Sequence, residues 1–412
     1  MEEPIVVGLD IGTSKICTLV ARIENSANLR ILGVGVEPSQ GIRKGVVIDI
    51  NSASQSIARS IEKAERTSGY EINSALVSLA GSHVSSMNSR GVVGISGRVI
   101  DQEDVLRALD SAQAVAIPHD REIIHVIQRG FLVDGQDGIR QPVGMHGFRL
   151  EVEAHIITAS ASTTENLRKC VSMAGIEVSQ FVLSPLASAE AVLSETERTM
   201  GAAVVDMGGG TTDLAIYLNG DVWYTNVLNI GSNYITTDIA QGLRLPVDVA
   251  EEVKLHHGYA VLDDISEEES FNVVPFSAEE STKVLRRDLV NIIEARAEEI
   301  LSMVHQEIKR SGVSGLLPAG LILTGGGSQL PGMRKLATQV TGLPTRIAKP
   351  EKMVGLTDQI SSPAFSTSVG LLQWAILMSE TYQIGSERPG KGKRPEGDRA
   401  ETFASWFKKL LP

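Results

Sequence analysis

Three Gly-rich turns carry the residues best suited to do chemistry. In GLDIGTSK (Gly8–Lys15) and VVDMGGGTTDLAIY (Val204–Tyr217), an apolar strand ends in aspartate, turns through glycine and hydroxyl residues, and enters a second apolar strand. Successive backbone N–H groups in such a turn point into one concavity and hold anions. Gly12, Gly208, Gly209 and Gly210 are expected to supply both close approach to a phosphate and a positive φ. Thr13, Ser14, Thr211 and Thr212 add hydroxyl donors, and Lys15 adds charge. Either hairpin alone is also what an ordinary tight β-turn looks like. Facing each other, the two would grip a triphosphate from both sides. Asp10 and Asp206, one from each hairpin, would then stand where a hydrated Mg²⁺ bridges the phosphates, because Mg²⁺ is hard, prefers oxygen and keeps several waters. Asp213 is a further candidate for orienting water or metal. The third turn, in GLILTGGGSQLPGM (Gly320–Met333), follows another apolar strand and is expected to open a helix. Its glycines, Gly325, Gly326 and Gly327, would let the backbone lie flat against a purine or ribose beside a helix N-terminus. No GxxxxGK[ST] occurs and no GxGxxG follows a strand, which excludes a P-loop and disfavours a dinucleotide fold.

The elements around these turns are those of an α/β protein. Apolar runs at Ile5–Leu9, Ala203–Val205 and Gly320–Leu323 read as strands. Amphipathic helix patterns fall at Asn51–Thr67, Asp101–Val115, Thr164–Met173, Val247–His256, Ser281–Arg310 and Met333–Val340. Val6–Val20 and Val204–Leu218 share one plan, which implies two similar halves. With 412 residues the chain can form two to three ordinary domains of ~100–200 residues each. A formal net charge of −12 argues against a nucleic-acid clamp. Two cysteines, Cys17 and Cys170, fit a reducing cytoplasm rather than a disulfide framework or zinc cage. The start lacks the basic and apolar regions of a secretion signal, and no run approaches the ~20 apolar residues of a membrane span.

The three turns, in this order, resemble the actin-like ATPase superfamily, which includes actin, the seventy-kilodalton heat-shock chaperones and sugar kinases. GLDIGTSK looks like the first phosphate loop, VVDMGGGTTDLAIY the second, and ILTGGGSQLPGM, including Ser328, the adenosine loop. SPLASAEAVL (Ser184–Leu193) and FSTSVGLLQWAI (Phe365–Ile376) look like the two helices that connect the halves. Within the superfamily, Arg121–Ser160 is similar to the inserted subdomain of the FtsA family of bacterial cell-division actin homologues, with Gln128 where many relatives have proline. NIGSNYITTDIAQGL (Asn229–Leu243), AEEVKLHHG (Ala250–Gly258), IIEARAEEIL (Ile292–Leu301) and Gly355–Leu372 match as well.

That resemblance implies a two-lobed actin-like fold. Its first lobe would comprise 1–81, 161–200 and 365–384, with an inserted subdomain at 82–160. A second-lobe core would comprise 201–232 with 306–364, and a subdomain at 233–305 would bind the ring protein. It implies ATP and Mg²⁺ as ligands. Gly231 and Ser232 join the candidate nucleotide contacts, as do Glu252, Lys254 and Arg296, although a solvated charged face explains the last three equally well. Slow hydrolysis at most is expected, since Ser184 stands where several relatives carry a water-positioning Glu. Glu190, on the same helix, is the substitute catalytic candidate or else a surface charge. The implied partners are the C-terminal peptide of FtsZ, with Arg286 and Arg287 as possible charge contacts, further copies of the chain in filaments, and later division proteins through the insertion.

The end of the chain reads as a separate device. Residues 385–398, GSERPGKGKRPEGD, lack apolar periodicity and form a flexible tether. In 399–412, Phe403, Trp406, Phe407, Leu410 and Leu411 cover about 140° of one helical face. Lys408 and Lys409 lie opposite, and a helix of this length, roughly 20 Å, lies in a membrane interface rather than spanning it. A helix docked on the protein's own core is the competing reading. Two lysines contribute only ~1 kcal/mol each near anionic lipid, so filament formation would multiply the binding through avidity. The expectation is a peripheral protein on the cytoplasmic face of the bacterial membrane at the division site. A sugar or acetate kinase and a peptide-binding chaperone or pilus-assembly ATPase are the alternatives on the same core. Neither accounts for both the insertion and the tail.

Overall fold

The computed structural model describes residues 4–24, 28–115, 117–276 and 280–386. Two of its sheets share one plan. In the first, Ile5–Ile11, Lys15–Glu24 and Asn28–Pro38 form an antiparallel meander. Ser74–Leu79 and then Glu177–Leu183 add in parallel beside Ile5–Ile11, and the short Met353–Gly355 closes the other edge. In the second, Ala202–Met207, Thr212–Leu218 and Asp221–Leu228 form the meander, and Gly320–Thr324 and Thr345–Ile347 add in parallel. The internal repeat is the opening hairpin of each sheet, in the same register: Asp10 lies opposite Cys17 and Asp206 opposite Asp213. Ala202–Met207 is buried along its whole length. It is therefore apolar in an unbroken run rather than alternating, as a strand covered on both faces must be.

Two helices cross between the sheets. Ser184–Val192 is buried except at Glu190. Against it lies Ser366–Ser386, where a Cβ on Gly370 would stand 1.8 Å from the Ala187 carbonyl oxygen. The crossing sits in an apolar cluster that runs through both lobes and includes Leu9, Leu186, Val204, Ile322 and Leu371. Each buried aliphatic side chain of this size stabilises by ~1.5–3 kcal/mol, whereas a surface ion pair contributes ~0–1 kcal/mol. The lobes are therefore joined firmly at this crossing.

The insertion leaves the first lobe after Ser74–Leu79. Its strands Ser85–Val99, Arg121–Val133, Gln136–Ile139 and His146–Ser160 form one antiparallel sheet. Helix Gln102–Gln113, started by a capping box between Asp101 and Asp104, packs so closely on it that a Cβ on Gly91 would strike the Ala108 carbonyl. The insertion also reaches the second lobe: Ser86 Oγ donates to the Thr225 carbonyl at 2.8 Å, and His155 Nε2 pairs with Thr225 Oγ1 at 2.9 Å.

One expected helix is shorter than its periodicity predicts. Ser281–Arg310 divides into strand Thr282–Leu285, paired with Ser270–Val273, and helix Arg286–Arg310. Thr282 and Val284 are β-branched and two apart, which suits an edge strand as well as it suits a first helical turn. Antiparallel pairing with Ser270–Val273, just upstream in the chain, decided between them. The final helix runs to Ser386. Most of the expected tether and all of the expected membrane helix, including Phe403, Trp406, Phe407, Lys408, Lys409, Leu410 and Leu411, lie outside the described residues. No helix among the described residues is long and apolar enough to cross a membrane.

The tightness of the helix crossing is testable. Gly370→Val should destabilise the protein by ~3 kcal/mol or more, because the obstructing atom is a backbone carbonyl that no rotamer change can move. A denaturant midpoint indistinguishable from wild type would show that the crossing is loose.

Candidate functional site

The turns at Gly12 and Gly208 meet face to face. Gly12 N–H donates to the Lys15 carbonyl at 3.0 Å, closing the first turn. Thr13 Oγ1 then lies 2.5 Å from where a Cβ on Gly210 would be, and Ser14 Oγ 2.1 Å from that of Gly209. Glycine is required here for close approach alone. None of Gly12, Gly208, Gly209 and Gly210 is in the left-handed region, contrary to the sequence expectation. A left-handed conformation does occur in the third turn, at Gly325 (φ +82°), whose Cβ would collide with Asp206 Oδ1 at 2.3 Å. That turn continues as the 3₁₀ segment Gly326–Gln329, and the α-helix starts only at Met333.

Between the turns lies a cavity of about 430 Å³, within the range of small-ligand sites. Of the sequence candidates, Asp10, Gly12, Thr13, Ser14, Lys15, Asp206, Gly208, Gly209, Gly210, Thr211, Asp213, Ser232, Lys254, Gly325, Gly326 and Gly327 line it. Others do not. Thr212 Oγ1 donates to the Ile230 carbonyl (2.8 Å) and Ser328 Oγ to the Gly325 carbonyl (2.7 Å), so both are buried braces. Gly231 packs behind the second turn, against the Gly208 and Gly209 carbonyls. Glu190 is clamped by both terminal nitrogens of Arg198 at 2.7 and 2.9 Å, away from the cavity, so its carboxylate is not available to position water there. Arg296 is bound to Asp238 (3.1 Å from Nη2 to Oδ1), and Arg287 to Glu267 (2.9 Å).

Glu252 is exposed, and Glu251 lines the cavity in its place. Helix Val247–His257 presents Glu251, Lys254 and Leu255, spaced i, i+3, i+4, to the cleft, which turns Glu252 outward. The Lys254 ammonium bonds Glu251 at 2.6 Å and Thr236 Oγ1 at 2.8 Å.

Three buried carboxylates converge at the phosphate end, each held differently. Asp10 accepts from Ser78 Oγ (3.0 Å) and Ser368 Oγ (2.7 Å). Asp206 accepts from Ser188 Oγ and, at 2.8 Å, from Thr367 Oγ1. Burial raises the pKa of Asp206; its two hydroxyl donors oppose that shift and the Asp10 charge adds to it. Burial, and then the Asp206 charge, hold the Asp213 carboxyl well above the usual range, and its Oδ1 has no hydrogen-bond partner. No group of three Asp, Glu, His or Cys side chains among the described residues is placed to hold a metal ion by itself; an acceptor without a partner beside two further carboxylates suits a hard divalent cation held through water. Ser78, Ser188, Thr367 and Ser368 escaped the sequence reading. Only Thr367 and Ser368 carried a visible signal, as successive hydroxyls at the start of an otherwise apolar helix; Ser78, in a strand, and Ser188, alone between alanines, carried none.

The fold is that of the actin-like proteins. It superposes on the PilM–PilN type IV pilus biogenesis complex with a TM-score of 0.64 at 16% identity, covering 90% of this chain and 98% of that one. It superposes on MreB5 of Spiroplasma citri bound to ADP with a TM-score of 0.58 at 15% identity, covering 94% and 100%. Within that class the sequence is decisive. A family model for the cell division protein FtsA matches residues 203–370, and one for the SHS2 domain inserted in FtsA matches 81–158. FtsA of Borreliella burgdorferi is 44% identical over 375 residues, 90% of this chain and 91% of the relative. That of Pseudomonas aeruginosa is 41% identical over 371 residues (90% and 89%), and that of Escherichia coli K12 35% over 417 (99% and 97%). The chain belongs to the FtsA family of bacterial cell division proteins.

The orphaned carboxylate sets a test. Asp213→Asn should raise the melting temperature of the ligand-free protein at pH 8, by about 2 °C, since it removes a buried charge that burial and the Asp206 carboxylate both disfavour. The native group has a raised pKa, so it destabilises only where it is ionised. The difference should therefore shrink as pH falls through that pKa, where the native carboxyl is itself neutral. Scanning fluorimetry across pH reads this directly, and a pH-independent difference would contradict it.

Proposed function

We propose that the cleft binds ATP with Mg²⁺. The observation that carries this reading is the pair of facing hairpins around three buried carboxylates, one of which has an oxygen, Asp213 Oδ1, without a partner. Asp10, Asp206 and Asp213 would hold the cation largely through water, and the cation would offset the charge of the phosphates. Backbone N–H groups of the two turns, with Thr13, Ser14 and Thr211, would take the phosphate oxygens. Glu251 and Lys254 would border the ribose and base. Ser184, which lines the cavity and donates to the Leu79 carbonyl at 3.1 Å, supplies no carboxylate to position an attacking water. ATP then acts chiefly as a conformational and assembly ligand, hydrolysed slowly. Gly209→Asp, which puts a carboxylate where Ser14 and the phosphates meet, should abolish MgATP binding by calorimetry. Unchanged affinity would remove the hairpin from the site.

In the cell, we infer, the chain self-associates into filaments and ties the FtsZ ring to the cytoplasmic face of the membrane. The subdomain 233–305 would take the C-terminal peptide of FtsZ, and the insertion would recruit later division proteins. The supporting features are the membership of the family and the sequence spacing of Phe403, Trp406, Phe407, Leu410 and Leu411, which would share one face of a helix with Lys408 and Lys409 opposite. One such helix binds weakly, and a filament presenting many gains by effective concentration, up to ~10²–10⁴-fold over a single site. Trp406→Glu should therefore abolish co-sedimentation with anionic liposomes while MgATP affinity stays at the wild-type value. Retained co-sedimentation would mean that another part of the chain makes the contact.

A further inference from the structure

We propose that Lys44 and Tyr234 form a latch across the mouth of the cleft that sets the rate of nucleotide release. The latch deepens the nucleotide reading above and rests on it. Lys44 belongs to the first lobe, at the tip of a tight turn between Ile42–Arg43 and Val46–Val47. Lys44 and Gly45 are both left-handed there, with φ +53° and +74°. This is the two-residue hairpin conformation that costs a non-glycine residue energy. The turn cannot sink back. A Cβ on Gly45 would meet the Ala80 carbonyl at 2.4 Å, and Ile48 and Asp49 N–H both donate to the Gly41 carbonyl, at 2.8 and 3.1 Å. A strained, pinned turn thus projects one lysine away from its own lobe.

The ammonium of that lysine reaches the other lobe. It donates to the Tyr234 hydroxyl and lies 4.8 Å from the centroid of the same ring, within range of a cation–π contact. Tyr234 is itself steadied by the Arg296 guanidinium, 5.6 Å from the ring, which Asp238 holds in place. Neither Lys44 nor Tyr234 lines the cavity, but each adjoins a residue that does: Gly45 on one side and Asn233 on the other.

What makes the contact a latch is its connection to both phosphate turns. Gly45 N–H points at Thr13 Oγ1 (3.4 Å), in the first turn. Ser232 and Asn233 N–H donate to the Gly208 and Gly209 carbonyls, both at 2.9 Å, in the second. Opening the mouth therefore pulls on the elements bound to each phosphate turn, and the apolar helix crossing at the base leaves the mouth as the end free to open. The pair acts through position and touches no part of the ligand site.

The test uses the full-length chain and a fluorescent N-methylanthraniloyl ATP with Mg²⁺ in stopped flow. Lys44→Ala and Tyr234→Ala should each speed dissociation about tenfold while leaving the association rate within about twofold. The double variant should be no faster than either single one, and Lys44→Arg should restore slow release. Wild-type release from Lys44→Ala, or single effects that multiply in the double variant, would overturn the latch. A separate arm needs no nucleotide. In Lys44→Cys/Tyr234→Cys a short bismaleimide should bridge the two new thiols, without competition from Cys17 and Cys170, which are buried. Failure to bridge would overturn the contact itself. Failure of the wild-type protein to take up the analogue would instead overturn the nucleotide reading, and the bridging result would still decide whether the mouth closes.

Discussion

Two neighbouring hydroxyls on one helix hold the key carboxylates of both lobes. Thr367 Oγ1 donates to Asp206 and Ser368 Oγ to Asp10. Each aspartate is the last residue but one of the first strand of its own sheet, so the two sheets are registered against one rigid element, and through it against each other. The facing of the two turns follows from this. With Asp10 and Asp206 fixed by adjacent residues, Thr13 and Ser14 arrive where any side chain on Gly210 or Gly209 would have to be. The glycines are thus a consequence of how closely the lobes approach, and the turns themselves could have been made by other residues.

This convergence has an electrostatic cost that the fold does not relieve internally. Asp206 and Asp213 have raised pKa values, Asp213 lacks a partner at one oxygen, and the cationic groups nearby are committed elsewhere. Lys15 donates to the Ala364 carbonyl and sits over Phe365, and Lys254 is bonded to Glu251 and Thr236. A native state that keeps an unneutralised carboxylate buried gains stability from any cation that binds there, because the ligand is linked to the folded state alone. The stability that carries this cost comes from the apolar crossing of the helices.

The insertion adds a second route between the lobes. It grows from the first lobe yet bonds Thr225, in the strand Asp221–Leu228 that leads into the Ser232 end of the cleft. His155, at the centre of that contact, lies between Asn88 and Thr225. Burial, with the Arg129 charge adding, lowers its pKa to about 4, so it is neutral at physiological pH. The lobes are thus tied by apolar packing at the crossing, by a neutral polar contact through the insertion, and by charge at the mouth.

The sequence by itself determined the strands, the hairpins and the repeat that near neighbours define. An aspartate at the end of an apolar run, glycines after it and a second apolar run define a hairpin wherever they occur, and finding the pattern twice defined two halves. The phase of the helix at Glu251 was not legible, because a mean hydropathy pattern that weak leaves several faces equivalent, and only packing of Ala250 and Val253 into the core chose one. Glu190 read as a free carboxylate until Arg198, which lies close in sequence but on a different helix, folded against it. Gly209 and Gly210 read as needed for a phosphate's approach and for φ; the collisions that demand them involve Ser14 and Thr13, nearly two hundred positions away. Tertiary structure decided what each polar group faces. A hydrogen bond or a steric limit depends on two partners, and at Asp206, Gly209 and Gly210 the second partner comes from elements outside their own sheet.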